Sequence, residues 1–126
     1  MENPWHSHQY LSLASKKRNG DWVETPVWFA QDTLRVMYCV SSKNAWKIKR
    51  INRFPEVRIT PCTVRGAFTG STQHAVAHVL TEPAQINHAY TVLLHKYRWQ
   101  MRLLNIIATM VGTKKNRAFI KITIDP

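Results

Sequence analysis

"SSKNAWKIKRINRFPEV", residues 41 to 57, is where the periodicity of this chain changes. Ala45, Ile48 and Ile51 or Asn52 recur every three to four residues, with Lys47, Lys49, Arg50 and Arg53 around the rest of the turn. That is the signature of a short amphipathic helix. Pro55 ends it, because Phe54, the residue before a proline, is pushed out of the α region. Ser41 or Ser42 is the expected N-cap. Seven positions from Ser41 to Arg53 carry a hydroxyl or a positive charge, and no acid appears before Glu56. This face is therefore a solvated surface, a grip on nucleic acid, or a pocket for one phosphate.

On both sides of this helix the chain reads as strands. "YLSLAS" (10–15) alternates apolar and small polar residues, as a half-buried strand does. Asn19-Gly20 in "KKRNGD" is a hairpin signal. "WVETPVWFA" (22–30) is aromatic and β-branched, and its Pro26 predicts a strand edge or a bulge, where a ligand can approach the backbone. "LRVMYCV" (34–40) completes a three-strand meander. After the helix, "EVRITPC" (56–62) and "QHAVAHVL" (73–80) are strands flanking the turn region "RGAFTGS". Residues 82–112 carry a helical pattern, read as two helices, and "RAFIKITI" (117–124) is a last strand. About six strands and these helices predict a small, mainly β barrel with helices covering one end. A two-layer α+β sandwich is the alternative.

Composition bounds the function. The 126 residues, 44% of them hydrophobic, make one domain with a proper core, not a disordered chain. The longest apolar stretch, "LLNIIATMVG", is about half a membrane span, and no secretory leader pattern opens the chain. A cytoplasmic address, with no membrane partner, is the expectation. Eighteen Lys and Arg against seven Asp and Glu give a net charge of +11, which attracts polyanions: nucleic acid, anionic membrane or phosphorylated small molecules. Two cysteines, Cys39 and Cys62, lack metal spacing and form no disulfide framework. His74 and His78 share a face, yet nothing completes a metal set, and no nucleophile motif surrounds any cysteine or serine. "KYRWQMR" (96–102) reads as amphipathic packing or a subunit contact.

Two groups of residues can carry binding chemistry. At the start of the helix, the amides at 45–47 are among the unpaired donors of the first turn, in the positive end of the helix dipole. Ser41, Ser42 and Lys47 supply side-chain contacts there, with Arg50 one turn on, which suits a single terminal phosphate. In "TPVWF" (25–29) a proline-interrupted strand cannot pair all its backbone, so Thr25, Val27 and Trp28 can present amides and carbonyls to a planar heterocycle. The structural alternatives are a solvated basic face and an ordinary edge strand with Trp28 in the core.

The run "TPVWF…YCVSSKNAWKIKRINRFPEVRITPCTVRGAFTG", with "AVAHVL" and "KYRWQ" after it, resembles the flavin and deazaflavin oxidoreductases of the split β-barrel fold, the relatives of pyridoxamine 5′-phosphate oxidase. The likeness runs from about Tyr10 to Ile124 and is greatest to the branch that uses the deazaflavin coenzyme F-420. The resemblance implies a six-stranded antiparallel split barrel of FMN-binding type, with FMN or the deazaflavin at a homodimer interface. It matches Lys47 to the family's phosphate lysine and Ala45 and Trp46 to neighbouring phosphate-loop positions. Thr25, Pro26, Val27 and Trp28 match the strand along the isoalloxazine ring. Tyr38 and Cys39 match a pair ending the next strand, and Arg65 belongs to the "RG" after the fourth. No side chain is implied as a catalytic proton donor, since the ring carries the hydride chemistry. Trp46 and Ala75 stand where relatives carry smaller or phosphate-binding residues.

The first expectation is therefore a homodimeric oxidoreductase moving a hydride to or from an unidentified small molecule, with Lys49, Arg50 and Arg53 also suited to an anionic tail on the coenzyme. The second is a non-catalytic flavin- or tetrapyrrole-binding module on the same fold. The third is a basic nucleic-acid binder built on "KIKRINR" with aromatic stacking platforms.

Overall fold

The computed structural model describes Trp5 and residues 8–97 and 117–125. Six strands and two helices follow in the order β1 (Tyr10–Lys16), β2 (Trp22–Gln31), β3 (Val36–Ser42), α1 (Trp46–Arg53), β4 (Glu56–Cys62), β5 (Gln73–Val79), α2 (Pro83–Tyr97) and β6 (Arg117–Ile124). The strands close into a barrel of order β1-β2-β3-β6-β5-β4, every neighbouring pair antiparallel. This is the barrel expected from the strand pattern, and the sandwich alternative is excluded.

Alternation decides which side chains fill it. Leu11 and Leu13 of β1, Val27 and Phe29 of β2, Met37 and Cys39 of β3, and Val57 and Ile59 of β4 all point inward. Small Ala75 and Ala77 on β5 face the row of isoleucines on β6 that ends at Ile124. At one end α1 inserts Ile48 and Ile51 into this core. At the other, Trp5 packs edge-on against Phe29, ring centroids 5.7 Å apart.

The second helix lies elsewhere than expected. It covers the flank of the barrel, not its end: Ala89 and Leu93 pack on Ala30, Tyr38, Val40 and Phe119, the outward residues of β2, β3 and β6. The part of the helical pattern beyond residue 97 lies outside the described residues. Two boundaries also differ. β3 begins at Val36, because Thr33 accepts the Val36 amide in a turn that leaves Leu34 exposed. Neither Ser41 nor Ser42 caps α1: the chain turns once more, the Ala45 amide bonding the Ser42 carbonyl, so Ala45 occupies the N-cap without a side-chain bond. The hairpin at Asn19-Gly20 is as expected, with Gly20 at φ +93° and its amide on the Lys17 carbonyl.

One seam is short. β2 pairs with β3 only through Phe29↔Cys39, Ala30↔Tyr38 and Gln31↔Met37, although both strands run on. Continuing the register would set Val27 against Ser41 and Pro26 against Ser42, but the strands have parted there. On its other side β2 stays paired with β1 from Trp22 to Trp28. Pro26 thus sits where the second neighbour has peeled away, the edge position its missing N–H predicts.

Candidate functional site

The parted seam and the head of α1 lie at the same end of the barrel. Ser15 and Ser41 occupy the last inward positions of β1 and β3 there, and Thr25 lies on the inward side of β2 one step inside Val23, so three hydroxyls stand towards the end that α1 closes. Each is engaged differently. Ser15 is fully buried and accepts a 2.7 Å bond from Arg50 Nε. Ser41 makes only a 3.5 Å contact with the Ser42 carbonyl. Thr25 Oγ1 is buried and has no hydrogen-bond partner. A buried hydroxyl without a partner costs about 1–3 kcal/mol, so its presence marks a position that a ligand or a water satisfies.

Lys47 stands in the first turn of α1, half-buried, and no carboxylate pairs with it among the described residues. Burial holds its ammonium below the usual lysine range; the Cys39 thiol beneath it opposes that shift and the Arg50 guanidinium adds to it. Burial also pushes the Cys39 thiol up to about 12, Lys47 offsetting only part of this, so Cys39 is an apolar wall and not a nucleophile. The Ala45 amide is spent in its turn, leaving the amides of Trp46 and Lys47 without a protein acceptor. One cation, two amides and an orphaned hydroxyl beside an unpaired strand edge fit a terminal phosphate with a planar group attached.

The sequence-selected residues divide into two sets. Val27 and Cys39 lie in the barrel core with Ala45 packed against it, Thr25 and Ser41 stand on the same inward side of their strands, and Lys47 and Arg50 stand on α1. Pro26, Trp28 and Tyr38 face outward. Arg65 tips an exposed turn whose Gly66, at φ +91°, lies against Pro26, so it belongs to the outer set. Tyr38 is tucked under α2 with its ring edge-on to His88, and burial raises its phenol, with the Asp32 carboxylate adding to the shift. Trp28 stacks obliquely on Tyr10, its indole N–H buried without a partner. Trp46 is 70% exposed and holds Lys49 against its ring at 4.5 Å. The Ala75 methyl points into the core, not into a ligand site.

Two features were not legible in the sequence. The hairpin residues Lys16, Lys17 and Arg18 fold over to face Trp46, Lys49, Arg50 and Arg53 across a groove of about 650 Å³. A second cavity of the same volume lies between the end of β2 and α2, lined by Trp5, Asp32, His95 and Lys96 among others. Lys96, from "KYRWQMR", donates to the carbonyls of His8 and Phe29 at 2.6 and 2.8 Å, and burial lowers its pKa to about 7. Lys47 borders neither cavity. His74 and His78 stand exposed on the outer face of β5, and the described residues hold no group of three potential metal ligands.

The sequence matches no protein-family model and no curated protein. Solved structures are similar in fold. HutZ, the heme storage protein of Vibrio cholerae, superposes with a TM-score of 0.69 at 13% identity, covering 95% of this chain and 84% of its own. A FAD-binding protein of Mesorhizobium loti gives 0.58 at 16% identity over 96% and 82%. A Clostridium acetobutylicum protein of the pyridoxinephosphate oxidase family, related to general stress protein 26, gives 0.64 at 10% identity over 98% and 86%. No helix among the described residues is long and apolar enough to cross a membrane. The chain thus has the closed six-stranded split-barrel fold that pyridoxamine-phosphate-oxidase-type, flavin-binding and heme-binding proteins share.

Proposed function

We propose that this protein binds a flavin or deazaflavin coenzyme at the α1 end of the barrel and serves as an oxidoreductase for a small molecule. The observation that carries the reading is Lys47: a half-buried ammonium without a carboxylate partner, at a helix head with two unpaired amides, beside the strand edge that β3 has left. Lys47 and the amides of Trp46 and Lys47 would hold the phosphate. Thr25 Oγ1 would donate to or accept from the ligand, and the open edge of β2 from Thr25 to Trp28 would lie along the ring. Arg50, fixed by Ser15, adds positive potential one turn further on. The bound ring supplies the hydride chemistry, and the protein supplies position, exclusion of water and electrostatics. A second copy of the chain would close the outer side of the site, where Pro26, Trp28 and the Arg65 turn face outward. The non-catalytic alternative keeps the same fold for storage, and the heme storage protein among the structural neighbours favours a tetrapyrrole as its ligand.

Titration of the purified protein with FMN, coenzyme F-420 and hemin, followed by absorbance and fluorescence, tests this reading. Saturable binding of one of the first two is expected. Lys47→Glu should weaken it by about 2 kcal/mol or more, as a charged hydrogen bond becomes a repulsion. Equal affinity in that variant would refute the assignment. Hemin binding with neither flavin nor deazaflavin binding would select the storage reading.

A further inference from the structure

The groove between the β1–β2 hairpin and α1 reaches beyond the Lys47 site: an anionic coenzyme tail on Lys49, Arg50 and Arg53 would leave the hairpin wall of Lys16, Lys17 and Arg18 unmatched. Six cations border it, Lys16, Lys17 and Arg18 on one wall and Lys49, Arg50 and Arg53 on the other, with Trp46 at its rim. No acid lines it. Asp21, the acid that follows the hairpin turn, takes a bond from the Asn19 side-chain amide. The ion pair recorded among the described residues, His88–Asp32, lies under α2. Bringing six like charges together costs the free protein stability through mutual repulsion. The core face of α1 is Ile48 and Ile51; of the six cations Arg50 bonds Ser15, and Lys16 and Lys49 lie over aromatic rings, while Lys17, Arg18 and Arg53 have no side-chain partner among the described residues. A mononucleotide carries too few negative charges to match six. A chain of phosphates does match them, and a base can stack on the exposed indole, one side of which already carries the Lys49 ammonium at 4.5 Å. A cationic groove with an aromatic platform at its edge is the arrangement by which sequence-tolerant single-strand binding works.

We infer that this groove binds single-stranded nucleic acid, its phosphates along the two cationic walls and a base on Trp46. Lys47 does not border the groove; Arg50 is common to the groove and the coenzyme site, so the variants that test the inference leave it in place.

Fluorescence anisotropy with labelled mixed-sequence DNA and RNA strands of about 12 nucleotides is the direct test. Saturable binding is expected, with affinity falling steeply between about 50 and 200 mM salt, on a log–log slope near −3 if four or so phosphates are engaged. The double variant Lys17→Glu with Arg53→Glu should lose about tenfold or more and flatten the slope. Trp46→Ala should lose about tenfold while Trp46→Phe, which keeps a stacking face, retains most of the affinity. Circular dichroism shows whether each surface variant keeps the barrel, and a variant that has lost it is replaced by Lys16→Gln with Lys17→Gln, expected to weaken binding in the same direction. Four results would each overturn the inference: no binding at low salt, affinity indifferent to the groove variants, equal affinity for a duplex of the same sequence, or displacement of the strand by stoichiometric FMN. Loss of coenzyme binding in Lys47→Glu with strand binding intact would separate the two sites.

Discussion

An ammonium at Lys47 meets a desolvated surrounding and the Arg50 guanidinium, with no carboxylate to offset either. Its folded pKa lies below its unfolded one, so its unfavourable contribution is complete at low pH and fades as pH rises toward the unfolded lysine value, about 10.4. Lys47→Met should therefore raise the denaturant midpoint of the free protein near neutrality. The gap should narrow toward pH 10, and phosphate-ligand binding should be lost at every pH. A Met variant no more stable than the parent would mean the charge is compensated. Lys96 offers the same linkage at a stronger shift. Below its folded pKa of about 7 the burial cost is complete; between there and 10.5 the unfolded chain holds a proton that the folded chain does not, so stability climbs with pH. Lys96→Met should flatten that climb in denaturant titrations from pH 7 to 10, whatever it does to the absolute midpoint. At this scale the sequence was partly readable. The lysine before "FPEV" was found from helix position, but the Thr25 hydroxyl and Lys96 became noteworthy only through burial, which no local pattern encodes.

The elements explain which residues the sequence could place. α1 was visible because Ile48 and Ile51 recur at helical spacing, and those two side chains are what the helix buries. Ile51 is almost fully enclosed, so Ile51→Ala should cost about 2–4 kcal/mol by opening a cavity under the helix. Trp46→Ala, one turn back on the exposed face, should change stability by less than about 0.5 kcal/mol, as surface substitutions do. Comparable losses from both would show that the indole packs and is not a free platform. The start of β3 and the helix cap differ from the sequence expectation for a shared reason. Leu34 looks like a strand residue and Ser42 like a cap, yet turns at Thr33 and at Ser42–Ala45 engage their neighbours first. Short-range hydrogen bonds of this kind compete with propensity, and the sequence shows the competitors but not the winner.

At the scale of the whole chain, the six strands could be counted in advance because inward and outward residues alternate along each one. Their closure could not. β6 joins β3 to β5, and β1 joins β2 to β4, contacts between residues far apart in sequence. Closure brings the hairpin at Lys16–Arg18 to the helix at Lys49–Arg53, so one groove collects six cations from two modest runs some thirty residues apart. It also sets side by side the apolar outer residues of β2, β3 and β6 on which α2 docks.

The seam between β2 and β3 has three residue pairs, where β1–β2 and β3–β6 each have seven. A barrel can breathe most cheaply along its shortest join. In deuterium-exchange mass spectrometry, peptides spanning 25–29 and 38–42 should take up label sooner than β6, and a tightly held coenzyme should slow them selectively. Uptake there as slow as in β6, before any ligand is added, would mean that the parted strands are already locked and give the ligand no play to remove.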